Sequence, residues 1–81
     1  MRPILYKNKL KNICGKKIRE ERQKQQLSQT ELAYLLKPYG VALDQKTISR
    51  IELQLRLVTD FELMSIAKVL HIPMVDLLEL E

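Results

Sequence analysis

Ser28-Gln29-Thr30-Glu31 and Thr59-Asp60-Phe61-Glu62 each place a hydroxyl residue three positions before a glutamate, at the head of an apolar helical period. In this pattern the hydroxyl accepts from the backbone N–H of the glutamate, and the glutamate reaches back to the backbone N–H of the hydroxyl residue. It commits two stretches of the chain to helix starts. Behind the first, Leu32, Leu35 and Leu36 with Ala33 form an inward face, and Leu27 pairs with Leu32 as a hydrophobic staple. Lys37-Pro38-Tyr39-Gly40 ends that helix, because the residue before proline avoids the helical region and glycine suits a helix terminus. Behind the second, Leu63, Ile66, Ala67 and Leu70 face the core, widened by Phe61, Met64 and Val69.

The same period appears three more times. Leu10, Cys14 and Ile18 fall four apart, which predicts a first helix over Asn12 to Gln25, with Gly15 permitting close approach of a neighbour. Asp44 is a good N-cap for a third helix at about 44–54, with Ile48, Ile51 and Leu55 on one side and Gln45, Lys46, Ser49 and Arg50 on the other. Pro73 suits the first turn of a short last helix containing Met74, Val75, Leu77 and Leu78. Five helices, no strand alternation and no repeat predict an all-α domain over 12–81, preceded by a basic arm over 1–11 in which Pro3 disfavours an early helix.

The residue inventory excludes several chemistries. One Cys and one His (Cys14, His71) cannot build a disulfide framework or a soft-ligand zinc finger. Neither a glycine-rich phosphate loop nor a metal-ligand cluster is visible, so no cofactor, metal or enzymatic activity is expected. Cys14 reads as a small core residue, and His71 as a helix C-terminal residue. No apolar run approaches the ~20 residues of a membrane helix. Ile4-Leu5-Tyr6 is too short for the apolar centre of a signal peptide, so a reduced, cytoplasmic setting is expected. Charge is graded along the chain. Residues 1–24 hold nine Lys and Arg against two acids, a net of +7, whereas residues 59–81 hold one against five, a net of −4. Either the basic front meets a polyanion or its lysines only solvate the surface.

Leu27-Ser28-Gln29-Thr30-Glu31-Leu32-Ala33, followed by Lys46-Thr47-Ile48-Ser49-Arg50-Ile51-Glu52, resembles the helix-turn-helix of the lambda-repressor/Cro-type regulators, the xenobiotic-response-element family. Ile18-Arg19-Glu20-Glu21-Arg22 and the stretches Ile66–Leu70 and Val75–Leu78 fit the same family. The resemblance implies a five-helix DNA-binding domain whose third helix enters the major groove while the second crosses the backbone. It places Gln45, Lys46, Ser49 and Arg50 at base edges or the adjacent backbone. Ser28, Gln29, Thr47 and Arg56 become candidate phosphate ligands. It also implies a structural ion pair between Arg22 and Glu52.

Two departures stand out. Lys37 to Leu43 separate helices 2 and 3, where the family has a short turn; Val41 and Leu43 are expected to dock this lengthened loop on the core, with Lys37 and Tyr39 at its tip adding backbone contacts. Where the family has Asn-Gly, this chain has Leu53-Gln54-Leu55-Arg56, and helix 3 is expected to run a turn longer. The resulting expectation is a transcriptional regulator, a repressor on operator DNA, dimeric through its last helix; the bland reading of that tail is that it only closes the core. The rivals are the antitoxin of a toxin–antitoxin pair, which adds a protein partner, and a protein-interaction module that does not bind DNA.

Overall fold

In the computed structural model, residues 10–78 are described. The expected arm over 1–11 therefore lies almost wholly outside the described residues, as does the end of the chain after residue 78. The elements are α1 (Gly15–Lys24), α2 (Gln29–Leu36), a 3-10 turn (Lys37–Tyr39), α3 (Gln45–Glu52), α4 (Asp60–Leu70) and α5 (Met74–Leu77). Among the described residues there is no strand. The all-α class and the five-helix order are those expected.

Three helices begin where the sequence places their caps. Ser28 Oγ accepts from Glu31 N at 2.9 Å, and Ser28 N donates to Glu31 Oε1 at 2.7 Å. Thr59 and Glu62 repeat this at 3.1 and 3.0 Å. Asp44 Oδ1 accepts from Thr47 N at 2.8 Å. α1 starts later than expected, at Gly15, because the Asn12 side chain is spent on holding the turn before it: Asn12 Oδ1 accepts from Gly15 N at 2.8 Å.

The helix ends differ from expectation. Gln26, Gln54 and His71 all have φ near +60° (58°, 65° and 59°). Each sits where a glycine would normally close a helix. Behind each, an N–H reaches back to a carbonyl five residues earlier: Leu27 N to Arg22 O at 3.0 Å, Leu55 N to Arg50 O at 2.9 Å, Ile72 N to Ala67 O at 3.1 Å. Helix 3 accordingly stops at Glu52, short of the expected 54 and without the expected extra turn, and Leu55, expected inward, is exposed. Because a side chain in the left-handed region is strained and glycine is not, His71→Gly is expected to stabilise the domain by about 0.5–1 kcal/mol. Its melting temperature would rise by a few degrees in a thermal scan, whereas a fall would mean the imidazole makes a compensating contact.

The core is aliphatic. Ile18, Leu32, Leu36, Ile48, Ile51, Ile66, Leu70 and Leu77 are fully buried, with Cys14 among them. α1 packs on α3, α4 and α5, α2 packs on α3 and α4, and α5 closes over α4. Val41 and Leu43 turn inward and are buried while Ala42 between them is exposed, so the lengthened loop is docked as expected. Leu35, Phe61 and Met64 depart from their expected inward positions and are exposed.

α1 meets the end of α3 almost without clearance. A Cβ at Gly15 would lie on the Ile51 carbonyl oxygen, well inside van der Waals contact. Asn12 Nδ2 donates to the same carbonyl at 3.1 Å and to Arg56 O at 2.8 Å. Lys11 N donates to Gln54 O at 2.9 Å, and Gln54 Nε2 to Asn12 O at 3.2 Å. The segment before α1 is thus tied to the segment after α3.

Candidate nucleic-acid interface

α3 buries Ile48, Ile51 and Glu52 and turns Gln45, Lys46 and Arg50 to solvent, with Ser49 and Thr47 half-buried between the two sides. The 3.6-residue period produces this division: 45 and 49, and 46 and 50, are one turn apart on the wet side. Among the described residues Lys46 and Arg50 make no ion pair or side-chain hydrogen bond. Two unengaged cations and one amide therefore stand together on the outer face of a short helix.

The orientation of that helix is set from beneath by a chain of polar contacts. Arg22 Nε and Nη2 donate to the two carboxylate oxygens of Glu52 at 2.7 and 2.9 Å, and both side chains are buried. Arg22 Nη1 donates to Leu27 O at 2.7 Å, fixing the bend between α1 and α2. Glu52 Oε1 also accepts from Gln29 Nε2 at 3.0 Å. Gln29 Oε1 accepts from Gln45 Nε2 at 2.6 Å. A buried ion pair between α1 and α3 thus continues through the first residue of α2 to the first residue of α3. No buried side-chain nitrogen or oxygen among the described residues lacks a partner, which such a network needs in order not to destabilise its surroundings.

The other candidates have defined surroundings. The Ser28 hydroxyl accepts a capping bond and keeps its own proton to donate. Hydrogen bonds from Thr47 hold the exposed Asp44 carboxyl below the usual carboxylate range and keep the cap ionised. Arg56 is engaged: Nη1 and Nη2 donate to the two Glu62 oxygens at 2.9 and 3.1 Å, and Nη1 also to Leu57 O. The pair raises the Arg56 pKa and lowers that of Glu62, chiefly through these hydrogen bonds. Nε–H and one Nη2 hydrogen of Arg56 are not used by them. Lys37, at the loop tip, stands 5.9 Å from the centre of the Tyr34 ring.

Sequence reasoning missed Asn12 as the tie between α1 and α3, Glu62 as the partner of Arg56, and the bridging role of Gln29. Their partners lie 39, 6 and 23 positions away, at no helical spacing. Among the described residues no three His, Cys, Asp or Glu side chains gather as a metal site, and no helix is long and apolar enough to cross a membrane.

A family model described as Helix-turn-helix (HTH_3) matches residues 18–77. Searches of curated proteins and of solved structures gave no match.

Proposed function

The chain belongs to the lambda-repressor/Cro-like helix-turn-helix family, a family of DNA-binding regulatory domains and not of enzymes, and from that premise we propose that it reads operator DNA through α3. Gln45, Lys46, Ser49 and Arg50 reach base edges in the major groove. Gln pairs bidentately with adenine, and Lys or Arg with guanine. Ser28, Gln29, Thr47 and the remaining donors of Arg56 hold phosphates and set the register. The observation that carries this reading is the network from Arg22 to Gln45, which fixes α2 and α3 relative to each other while leaving Lys46 and Arg50 unengaged.

A homodimer through α5 completes the proposal. Met74, Val75 and Leu78 are exposed around the buried Leu77, giving the last helix an apolar outer side. A two-fold dimer matches half-sites about one DNA turn apart. Its action is repression by occupancy in the cytoplasm.

Selection from random duplexes, followed by sequencing, tests this. The wild type is expected to enrich an inverted repeat, and a Lys46→Ala, Arg50→Ala variant is expected to lose that enrichment. Each lost base pairing is worth about 1–3 kcal/mol of discrimination. With roughly four to six phosphates contacted, log K should fall against log salt with a slope of about −4 to −5. A folded wild type that enriches nothing at low salt would overturn the reading and favour a protein-interaction module or another protein-binding role.

A further inference from the structure

α1 turns a basic side to solvent that no role above uses. Lys16, Arg19 and Gln23 recur three and four positions apart, which puts them on one side of the helix, and all three are exposed. The end of α3 lies beside them. Lys16, Arg19 and Gln23 from α1, with Leu53 and Gln54 from the stretch after α3, line an open depression of about 400 Å³.

Two carboxylates also border this depression, and each already has a cation. Glu52 is held by Nε and Nη2 of Arg22, and Glu20 stands 4.0 Å from Lys17. Lys16 and Arg19 make no ion pair among the described residues, so their charge is left uncompensated. A helix C-terminus ordinarily repels anions through its open carbonyls. Here those carbonyls are closed: Ser49 O accepts from Leu53 N, Arg50 O from Leu55 N, and Ile51 O from Gln54 N and Asn12 Nδ2. An anion arriving at this end meets two cations, with the Gln23 amide as a further donor.

The length of α3 selects the anion. Its eight residues span about 12 Å, close to the ~12 Å width of the major groove. Gln29 is bonded to the first residue of α3, and the depression adjoins the last. We propose that Lys16, Arg19 and Gln23 hold a phosphate of the strand opposite the one held at Ser28 and Gln29, so that α1 and α2 grip the two edges of the groove that α3 occupies. This rests on the operator-reading proposal and adds to it a site on α1. It gives the basic front of the sequence a defined contact in place of a diffuse attraction.

The test uses the full chain and the duplex that the wild type selects, with fluorescence anisotropy followed across a salt series. Lys16→Gln with Arg19→Gln alters exposed side chains only, so the fold should survive. Affinity should fall about tenfold, equally on the selected and on an unrelated duplex, and the salt slope should become shallower by about 1. Lys68→Glu removes the same charge from α4, outside the depression, and should leave the slope unchanged. Neutral methylphosphonate linkages, placed one at a time, locate the contact: one position per half-site, on the opposite strand, should weaken the wild type and leave the double variant indifferent. Inorganic phosphate alone should shift the amide signals of Lys16, Arg19 and Leu53 only at millimolar concentration; micromolar saturation would assign the depression to a free anion and overturn the proposal. A double variant with the wild-type slope would overturn it too, as would Lys68→Glu reproducing the loss or a wild type with no sensitive linkage on the opposite strand. A folded wild type that binds no duplex at low salt is a separate failure, which removes the operator reading itself and this contact with it.

Discussion

Glu52→Ala is expected to cost about 3–5 kcal/mol, because it leaves the buried Arg22 guanidinium with Leu27 O as its one remaining partner. A chain of this length has a total stability of roughly 4–12 kcal/mol. The variant should therefore stand at the edge of folding at 25 °C. Urea unfolding followed by circular dichroism checks this: the midpoint should fall steeply with the slope unchanged. A midpoint within experimental error of the wild type would show that the pair is not holding α1 on α3. A double variant, Arg22→Met with Glu52→Met, separates two roles of the pair. Exchanging a buried ion pair for apolar residues of similar volume is often neutral, so much of the stability should return. DNA binding should not return with it, because Gln29 Nε2 loses the carboxylate that anchors it and, through it, Gln45.

Gly15→Ala should also destabilise strongly, by about 2–3 kcal/mol, even though Ala is the better helix former by about 1 kcal/mol. The sign carries the information. At an open helix position the substitution would stabilise. Here the added methyl meets the carbonyl oxygen of Ile51, a backbone atom that no rotamer change can move, so α1 must lift away from α3. The bonds from Asn12 to Ile51 O and Arg56 O stretch with it. Thermal unfolding should show a melting temperature lower by roughly 8–24 °C at this domain size. An unchanged or raised value would mean that α1 is not in contact with the end of α3.

Helix starts were legible because the group that makes them is a side chain. Ser28, Asp44 and Thr59 advertise their caps, and the structure uses all three. Helix ends were not. Gln26, Gln54 and His71 enter the left-handed region without being glycine, held there by the reach-back bonds of Leu27, Leu55 and Ile72. The extra turn expected after Glu52 failed for this reason. Once α3 ended, Leu55 no longer followed the period that pointed it inward. Leu35, Phe61 and Met64 failed differently: an apolar residue at the margin of a helical stripe reads the same whether or not a neighbour covers it. On α3, the buried positions Ile48 and Ile51 leave Gln45, Lys46 and Arg50 on the wet side, which is what the helical period predicts. The bond of Gln29 to Glu52 was beyond reach, because nothing in linear order brings position 29 to position 52.

The chain of contacts from Arg22 to Gln45 has a thermodynamic consequence. A long polar side chain that becomes fixed loses up to about 1.5–2 kcal/mol of rotamer entropy. For Gln29 and Gln45 that loss is incurred as the domain folds, since their amides are already bonded to each other and to Glu52. For Lys46 and Arg50, which make no side-chain hydrogen bond among the described residues, the proposed reading defers it to contact with the duplex. In the proposed complex the adenine-type contact is thus made by a preset group and the guanine-type contacts by groups that order on arrival. Warming should therefore erode the second kind of discrimination faster than the first.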